Sequence, residues 1–484
     1  MKLALLHILL LGLTIVSGCS VNPVTGSSDL VLMSEDQEIA LGRRGHQEIL
    51  KKYREYNDVE LSKYVQKVGE RIAANSHRSD LVYRFTVLDS PEVNAFALPG
   101  GYIYVTRGIL AYFNSEAELA AVLGHEIGHV TARHSVKQHS AQTFSSIASA
   151  VLAAGTGVRG VGDAANFLGT ALVRGYGREH ELEADRLGAA YLARTGYRPE
   201  AMLDVIRLLK NQETFEKELA KAENRKPRIY HGLFSTHPDN DTRLQSVVRE
   251  SRRAVQSAGS IPDRRKIYLS QIDGMTYGDS QDQGILRGSS FYHRSLDFSL
   301  TFPANWSIKN QPNRIIAWSP KREGVLVLTM QDINRHISPQ VFLRKHLNAS
   351  SVKSGEAFTH QGLRGYTAFA NVDTPFGKRF ARATVVYHNK KAFVMIGAGK
   401  DVRRLYQYDP LFLKTAKSLH RLTGTEKLLS GERKLSIKTF KGEPYSELGA
   451  SSGLSHLAES QIRLLNGDYP SGEPKPGSLI KVVE

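Results

Sequence analysis

The sequence predicts an α+β protein of several domains. Three observations carry this. A chain of 484 residues with 41% hydrophobic content can build about three cores. Residues 34–255 read mostly as helices of near-3.6 period, interrupted by two short alternating runs, Arg84–Leu88 and Gly101–Val105. Residues 291–424 reverse the balance. Phe291–Phe302 alternates, Val325–Thr329, Phe380–Tyr387 and Ala392–Ala398 read as further strands, and Ser338–Leu347 and Leu411–His420 read as helices.

The first element is a targeting segment. Lys2 supplies a short charged start, and Leu3–Val16 is an apolar run too short for a comfortable membrane span. Val16-Ser17-Gly18-Cys19 then resembles a bacterial lipobox, whose cysteine is lipidated and opens the mature chain. Residues 1–18 are therefore expected to be a lipoprotein signal peptide, with Cys19 as the lipidation site. Ser20 after the cysteine resembles the pattern sorted to the outer membrane. Cys19 is the only cysteine, which excludes an intramolecular disulfide. Residues 19–33 read as a tether. The one other apolar stretch, 144–175, is broken by Arg159 and Asp163 and reads as a helical hairpin packed on the protein rather than a span. The formal net charge is +16. A secreted lipoprotein meets no nucleic acid, so that charge is expected to face anionic lipid, lipopolysaccharide or cell wall.

Helices and the two short strands follow. Ser34-Glu35-Asp36-Gln37 caps a first helix, and residues 59–77 form a second. Ser115-Glu116-Ala117-Glu118 is a capping box, followed by Leu119, Val122, Leu123, Ile127 and Val130 at helical spacing without a proline. That helix carries His125-Glu126-Ile127-Gly128-His129, which is H-E-x-x-H. Positions i and i+4 share a helix face, with Cβ atoms roughly 6 Å apart. Two imidazoles there can converge on one zinc ion, and the glutamate between them can take a proton from a water that the metal acidifies. A catalytic zinc needs a third protein ligand and an open fourth position. The next predicted helix, Arg178 to about Arg194, offers Glu181, with His180 as its rival. Gly196 and Pro199 mark its end. Glu181 and Asp185 share a face, so Asp185 is placed to accept a hydrogen bond from a ligating histidine, while Glu183 points away. Pro199 opens a further helix to about Asn224, and residues 239–255 form another.

His125-Glu126-x-x-His129 followed by Glu181-x-x-Ala184-Asp185 resembles the zinc peptidase family of the CAAX prenyl proteases, HtpX and BepA. Two more stretches share the likeness: Asn94-Ala95-Phe96-Ala97-Leu98-Pro99-Gly100-Gly101-Tyr102-Ile103-Tyr104-Val105, and Ser235-Thr236-His237-Pro238 with Arg243. The likeness covers about residues 30–255. It implies a mostly helical, gluzincin-type metallopeptidase domain over 34–255 with a small sheet. It implies one Zn2+ per chain on His125, His129 and Glu181, with Glu126 as general base and Asp185 supporting the site. It also implies that Gly101, Tyr102, Ile103, Tyr104 and Val105 form the strand beside which substrate lies, and that His237, with Arg243, can approach the zinc and restrain activity.

Residues 256–290 read as a Gly-, Ser- and Asp-rich linker. The α+β domain of 291–424 has an F-P-x-x-W start, Phe302 to Trp306, that resembles PsbP-like and Mog-type domains. Its tryptophans and phenylalanines read as core, with no cluster of chemical groups. In 430–484, Gly442-Glu443-Pro444-Tyr445-Ser446-Glu447-Leu448, Leu464-Leu465-Asn466-Gly467 and Pro476-Gly477-Ser478-Leu479-Ile480-Lys481-Val482 resemble a degenerate LysM module. That likeness implies contact with peptidoglycan glycans; a plain structural cap is the other reading. The expected function is zinc-dependent cleavage of unfolded or misassembled envelope proteins on the periplasmic side of a Gram-negative outer membrane. The expected alternatives are a chaperone or assembly factor for outer-membrane proteins with little proteolysis, and a wall-binding lipoprotein with a vestigial protease fold.

Overall fold

The computed structural model describes residues 19–31, 33–141, 143, 176–223, 227, 263–333, 336–347, 352–454 and 457–484. The chain forms two compact units of mixed helix and sheet. One draws on the chain up to Tyr277 and again on Lys434–Glu484; the other is essentially Gly278–Arg433. Within the described residues, no helix is long and apolar enough to cross a membrane.

The first unit begins with a hairpin, β1 (Cys19–Val21) against β2 (Ser28–Leu30). Asn22 closes it by accepting from the Val24 and Thr25 amides at 2.8 and 3.2 Å. The expected tether is thus partly ordered, because an Asx-type turn lets a short polar run fold back. Ser34 and Gln37 cap α1 (Glu35–Lys52) reciprocally: the Ser34 amide donates to Gln37 Oε1 at 3.0 Å, and the Gln37 amide to Ser34 Oγ at 3.3 Å. Asp58 caps α2 (Val59–Ala73), which buries the stripe Leu61, Val65, Val68 and Ile72.

Three strands follow: β3 (Arg84–Leu88), β4 (Ala95–Leu98) and β5 (Tyr102–Thr106). Their order is β3-β5-β4. β5 runs parallel to β3 in the register Arg84↔Tyr102 and antiparallel to β4 in the register Leu98↔Tyr102. This corrects the expected substrate strand. Gly101, Tyr102, Ile103, Tyr104 and Val105 are all buried, and Tyr102–Val105 lie in the central strand, so no peptide can pair there. In sequence, Ala95–Leu98 reads only as part of the Asn94–Val105 likeness and not as a strand of its own, because it is apolar and buried throughout and has no alternation to read. Part of the outer side of β3 is taken by residues 54–56, where Tyr56 N donates to Val87 O and Asp89 N to Arg54 O, both at 2.8 Å. Among the described residues, the outer side of β4 carries no strand.

The helices α3 (Arg107–Leu110), α4 (Glu116–Thr131), α5 (Arg178–Arg194), α6 (Ala201–Ala222) and α7 (Arg265–Ile272) and the short β6 (Thr276–Tyr277) complete this stretch. Gly196, with φ at 78°, closes α5. Residues 263–277 belong to this core rather than to the expected linker. Tyr268, Leu269 and Ile272 are fully buried, and Tyr268 Oη donates to Leu110 O at 2.6 Å.

The second unit holds a small meander, β7 (Ile285–Arg287), β8 (Ser290–His293) and β9 (Phe298–Thr301). Its main sheet takes β10 (Ser307–Gln311), β11 (Arg314–Trp318), β12 (Gly324–Asp332), β13 (Lys353–His360), β14 (Leu363–Thr374), β15 (Gly377–His388) and β16 (Lys391–Gly399). It is antiparallel throughout, in the order β10-β11-β12-β16-β15-β14-β13. α8 (Pro339–His346) packs Leu343 among Tyr366, Val385 and Val394. α9 (Val402–Lys417) places Leu405, Phe412 and Ala416 in a cluster with Phe291, Phe298, Trp306 and Phe393. α9 begins well before the expected Leu411. Asp401 caps it, and the helix continues through Pro410. α10 (Gly424–Leu429) carries a capping box made by Thr423 and Glu426.

The chain then returns to the first unit as β17 (Arg433–Thr439), α11 (Tyr445–Ser451), α12 (Ala458–Asn466) and β18 (Leu479–Val483). β17 and β18 pair antiparallel, and β6 joins them in the order β18-β17-β6. Tyr445, Ile462, Leu464, Leu465 and Val483 belong to the same hydrophobic core as Leu123 and Ile127 of α4. The segment read as a separate C-terminal module is therefore built into the first unit.

Candidate metal centre

α4 starts at Ser115, whose side chain accepts from the Glu118 amide at 3.2 Å. Glu118 reaches back past the cap to the Asn114 amide at 2.9 Å. Every residue of Glu116–Thr131 is buried. The helix is central because both of its faces are apolar or engaged, not because it is amphipathic.

α4 and α5 cross at very short range. A Cβ on Gly128 would stand 2.8 Å from Ala184 O and 3.1 Å from Ala184 Cα. A Cβ on Gly188 would stand 3.0 Å from the His125 amide nitrogen. Two glycines and an alanine at the crossing let the motif face of α4 meet the acidic face of α5. The crossing brings His125, His129 and Glu181 together, with one ligand atom of each within 4.8 Å of the others. His125 Nε2 and His129 Nε2 are 3.0 Å apart. Glu181 Oε2 is 3.6 Å from His125 Nε2, and Glu181 Oε1 is 3.5 Å from His129 Nε2. Asp185 Oδ1 lies 2.8 Å from His125 Nδ1, so the ring donates there and turns its Nε2 lone pair to the cluster. Glu126 is fully buried on the same helix.

The rival ligand His180 is elsewhere. Its ring stacks on His134 with centroids 4.2 Å apart. His134 Nδ1 lies 2.8 Å from His129 Nδ1, and His134 Nε2 lies 3.1 Å from Glu183 Oε2. Tyr176 stacks on His129 at 4.0 Å. Burial pushes the His134 imidazole down to about 4, against the pull of Glu183, and lowers His180 as well. The hydrogen bond with His134 holds the Glu183 carboxyl below its ordinary value. Burial raises the Tyr176 phenol.

Sequence reasoning did not single out His134 or Tyr176, and it set Glu183 aside as pointing away. Glu183 does point away from the three ligands, but toward His134. His237 and Arg243 lie outside the described residues, as do the expected helices over 144–175 and 239–255. Cys19 stands at the start of β1, opposite Leu30.

Residues 60–251 match the family model described as Peptidase family M48. This stretch is an M48 peptidase domain. Over 234 residues the chain is 28% identical to the beta-barrel assembly-enhancing protease of Yersinia pestis, a match covering 46% of each protein. It is 30% identical over 221 residues to the mitochondrial metalloendopeptidase OMA1 of Schizosaccharomyces pombe, covering 44% of this chain and 61% of that one. The chain thus spans about half the length of such bacterial relatives. Among solved structures, cyanobacterial PsbP from Synechocystis sp. PCC 6803 matches 28% of this chain and 95% of its own, at 16% identity and a TM-score of 0.23.

The donor set of the M48 domain fits zinc. Two imidazoles and one carboxylate leave a fourth position open, as catalytic zinc sites do. Bonds of about 2.0–2.1 Å in a tetrahedral site set ligand atoms about 3.3–3.4 Å apart. The two Nε2 atoms are 3.0 Å apart, and each lies 3.5–3.6 Å from one of the two Glu181 oxygens, close to that spacing.

Proposed function

We propose that this chain is a zinc-dependent endopeptidase of a Gram-negative cell envelope that cleaves unfolded or misassembled envelope proteins. The observation that carries the reading is the buried cluster of His125, His129 and Glu181 beside Glu126, with Asp185 orienting His125. His125, His129 and Glu181 are the residues that would hold the metal. Zinc, when bound, supplies a Lewis acid for the scissile carbonyl and lowers the pKa of water. Glu126 takes the proton from the attacking water and returns it to the leaving amine. Asp185 holds the His125 tautomer through that exchange.

Substrate is placed along the outer side of β4, Ala95–Leu98, rather than along β5. Main-chain pairing at a strand edge reads extended conformation more than side chains, which suits loosely specific clearance of unfolded chains. His237, with Arg243, is proposed to approach the open position and restrain cleavage. Anchorage through a lipidated Cys19 rests on the Val16-Ser17-Gly18-Cys19 pattern, and it fits a chain whose bacterial relatives are named for β-barrel assembly. That same name favours a second reading, an assembly factor that binds outer-membrane clients and seldom cuts. Contact between the C-terminal segment and peptidoglycan would use its outer polar groups, because Tyr445, Ile462, Leu464 and Leu465 lie in the core.

The test is metal content together with casein digestion. Wild type should carry one zinc and digest casein. Glu126→Gln should keep the zinc and lose digestion by several orders of magnitude. A Glu126→Gln protein cleaving at the wild-type rate would refute the assignment. Zinc-replete wild type that binds unfolded outer-membrane protein without cutting it would favour the assembly factor.

A further inference from the structure

We propose that His134 and Glu183 are positioning residues for the ligand His129, acting as a one-way hydrogen-bond chain that fixes which ring nitrogen of His129 faces the metal. The inference rests on the metal-centre reading above and adds residues that the ligand set does not contain.

The argument is a proton count. To serve as a ligand, His129 must turn an Nε2 lone pair toward Glu181 and His125, so its proton must sit on Nδ1. That Nδ1 lies 2.8 Å from His134 Nδ1. Two ring nitrogens at this distance need one donor and one acceptor. If His129 donates, His134 accepts on Nδ1 and carries its own proton on Nε2. His134 Nε2 lies 3.1 Å from Glu183 Oε2, and an ionised carboxylate only accepts. One arrangement therefore satisfies all three groups. In the reverse arrangement, a lone pair on His134 Nε2 would face the carboxylate, and a proton on His129 Nε2 would face the ligand cluster. A doubly protonated His134 would donate on both nitrogens and likewise leave the proton of His129 on Nε2, facing the ligand cluster.

The surrounding structure holds this chain in place. α4 ends at Thr131, and Arg133 takes a left-handed backbone with φ at 56°. That turn brings His134 back beneath His129. A non-glycine residue in this region needs support. Arg133 has it from buried Glu38, whose Oε2 accepts from Nε at 2.9 Å, and from Met33 O at 3.0 Å. Arg78 donates to the other oxygen of Glu38 at 2.8 Å. The two rings are clamped by their neighbours, His129 by Tyr176 and His134 by His180. The two histidine ligands are thus supported differently. His125 faces the Asp185 carboxylate directly, and His129 faces the Glu183 carboxylate through an imidazole. A carboxylate at one remove polarises its ligand less, so Glu183 should matter less than His134.

The test is the zinc dissociation constant of the purified full chain, measured by competition with a chromophoric chelator. Apo-protein melting and the visible spectrum of the Co2+-substituted protein are recorded alongside. His134→Phe keeps an aromatic ring against His180 and removes the acceptor. Its zinc dissociation constant should rise by about 10–100-fold, the usual cost of losing a partner behind a ligand. His134→Asn restores an acceptor near the Nδ1 position and should come within a few-fold of wild type. Glu183→Leu, on a side chain 20% exposed and so tolerant of change, should give a smaller rise with a shifted Co2+ band. His129→Ala is the control for the underlying reading. If it binds zinc like wild type, the metal-centre assignment fails. If only the control loses zinc and both His134→Phe and Glu183→Leu bind like wild type, the positioning role fails. It fails equally if His134→Asn is as weak as His134→Phe, or if weakening simply follows the drop in apo melting temperature. Should His134→Phe not fold, Glu183→Leu decides, with an unchanged constant and spectrum overturning the proposal.

Discussion

Lys481 offers the sharpest test of how the first unit is built. Its side chain is fully buried, and Nζ donates to Ala111 O and Phe113 O, both at 2.8 Å. These carbonyls belong to the loop between α3 and α4, just ahead of the Ser115 cap. Asn466 holds the Lys481 backbone from the other side, with Oδ1 accepting from its amide at 2.7 Å and Nδ2 donating to its carbonyl at 2.9 Å. Burial pushes the Lys481 amine well below its ordinary value and the Glu118 carboxyl up to about 7, and each group's charge opposes the other's shift. Lys481→Met keeps most of the volume and leaves two buried carbonyls without that donor, at about 1–3 kcal/mol each. Relief of the buried charge offsets part of this, so a net loss of about 2–4 kcal/mol is expected. Hydrogen exchange read by mass spectrometry over residues 107–131 should accelerate by roughly 30- to 700-fold, at 1.4 kcal/mol per decade. The two tryptophans, Trp306 and Trp318, both lie in the second unit, so their fluorescence transition should stay in place and show that the variant is otherwise folded. Exchange within threefold of wild type would refute the reasoning. Deleting 434–484 should go further. Tyr445, Ile462, Leu464 and Leu465 are each fully buried, and burial of that set contributes roughly 6–12 kcal/mol. A domain's whole stability is of the same order.

Three further outcomes follow from the same contacts. Gly128→Val should prevent α4 and α5 from closing, because its Cβ would stand 2.8 Å from Ala184 O; the loss should read as absent zinc in a chain whose tryptophan fluorescence is normal. Glu38→Gln should cost about 2–4 kcal/mol in urea unfolding of the first unit, since Arg78 and Arg133 both lose a buried carboxylate. Arg382→Met should lower the second unit's tryptophan-reported midpoint, by about 1–3 kcal/mol for a bidentate pair, while zinc binding is unchanged; Nε and Nη2 of Arg382 donate to the two Asp409 oxygens at 2.7 and 2.6 Å.

What could be read from the sequence follows physical rules. Helix starts were legible because a cap is local: Ser34, Asp58, Ser115 and Ser338 each accept from an amide three residues on. The ligand cluster was legible in part for the same reason. His125 and His129 share a helix face by spacing alone, whereas choosing Glu181 over His180 required either the family likeness or the α4–α5 crossing. Strands were less legible. β12, β15 and β16 were found from their Val, Ile, Phe and Tyr content, although their burial does not alternate cleanly. β4 is buried on both faces and does not alternate, and β13 is largely exposed, so neither carries a period of two.

The unread part of the site has one cause. Nothing in the spacing of His129, His134 and Glu183 places them together, because His134 lies beyond the end of the helix that presents His129. Their meeting depends on a single residue, Arg133, taking a left-handed turn that its own type does not favour. What stabilises that turn is Glu38, far away in sequence on α1. A local rule cannot anticipate a conformation imposed by a distant carboxylate. Both supports are assembled by tertiary contact, but Asp185 shares a helix face with the ligand Glu181 and can be read once that ligand is chosen, whereas His134 and Glu183 share no helix face with any ligand. In this M48 domain the support of His125 follows from the choice of Glu181, and that of His129 follows only from the fold.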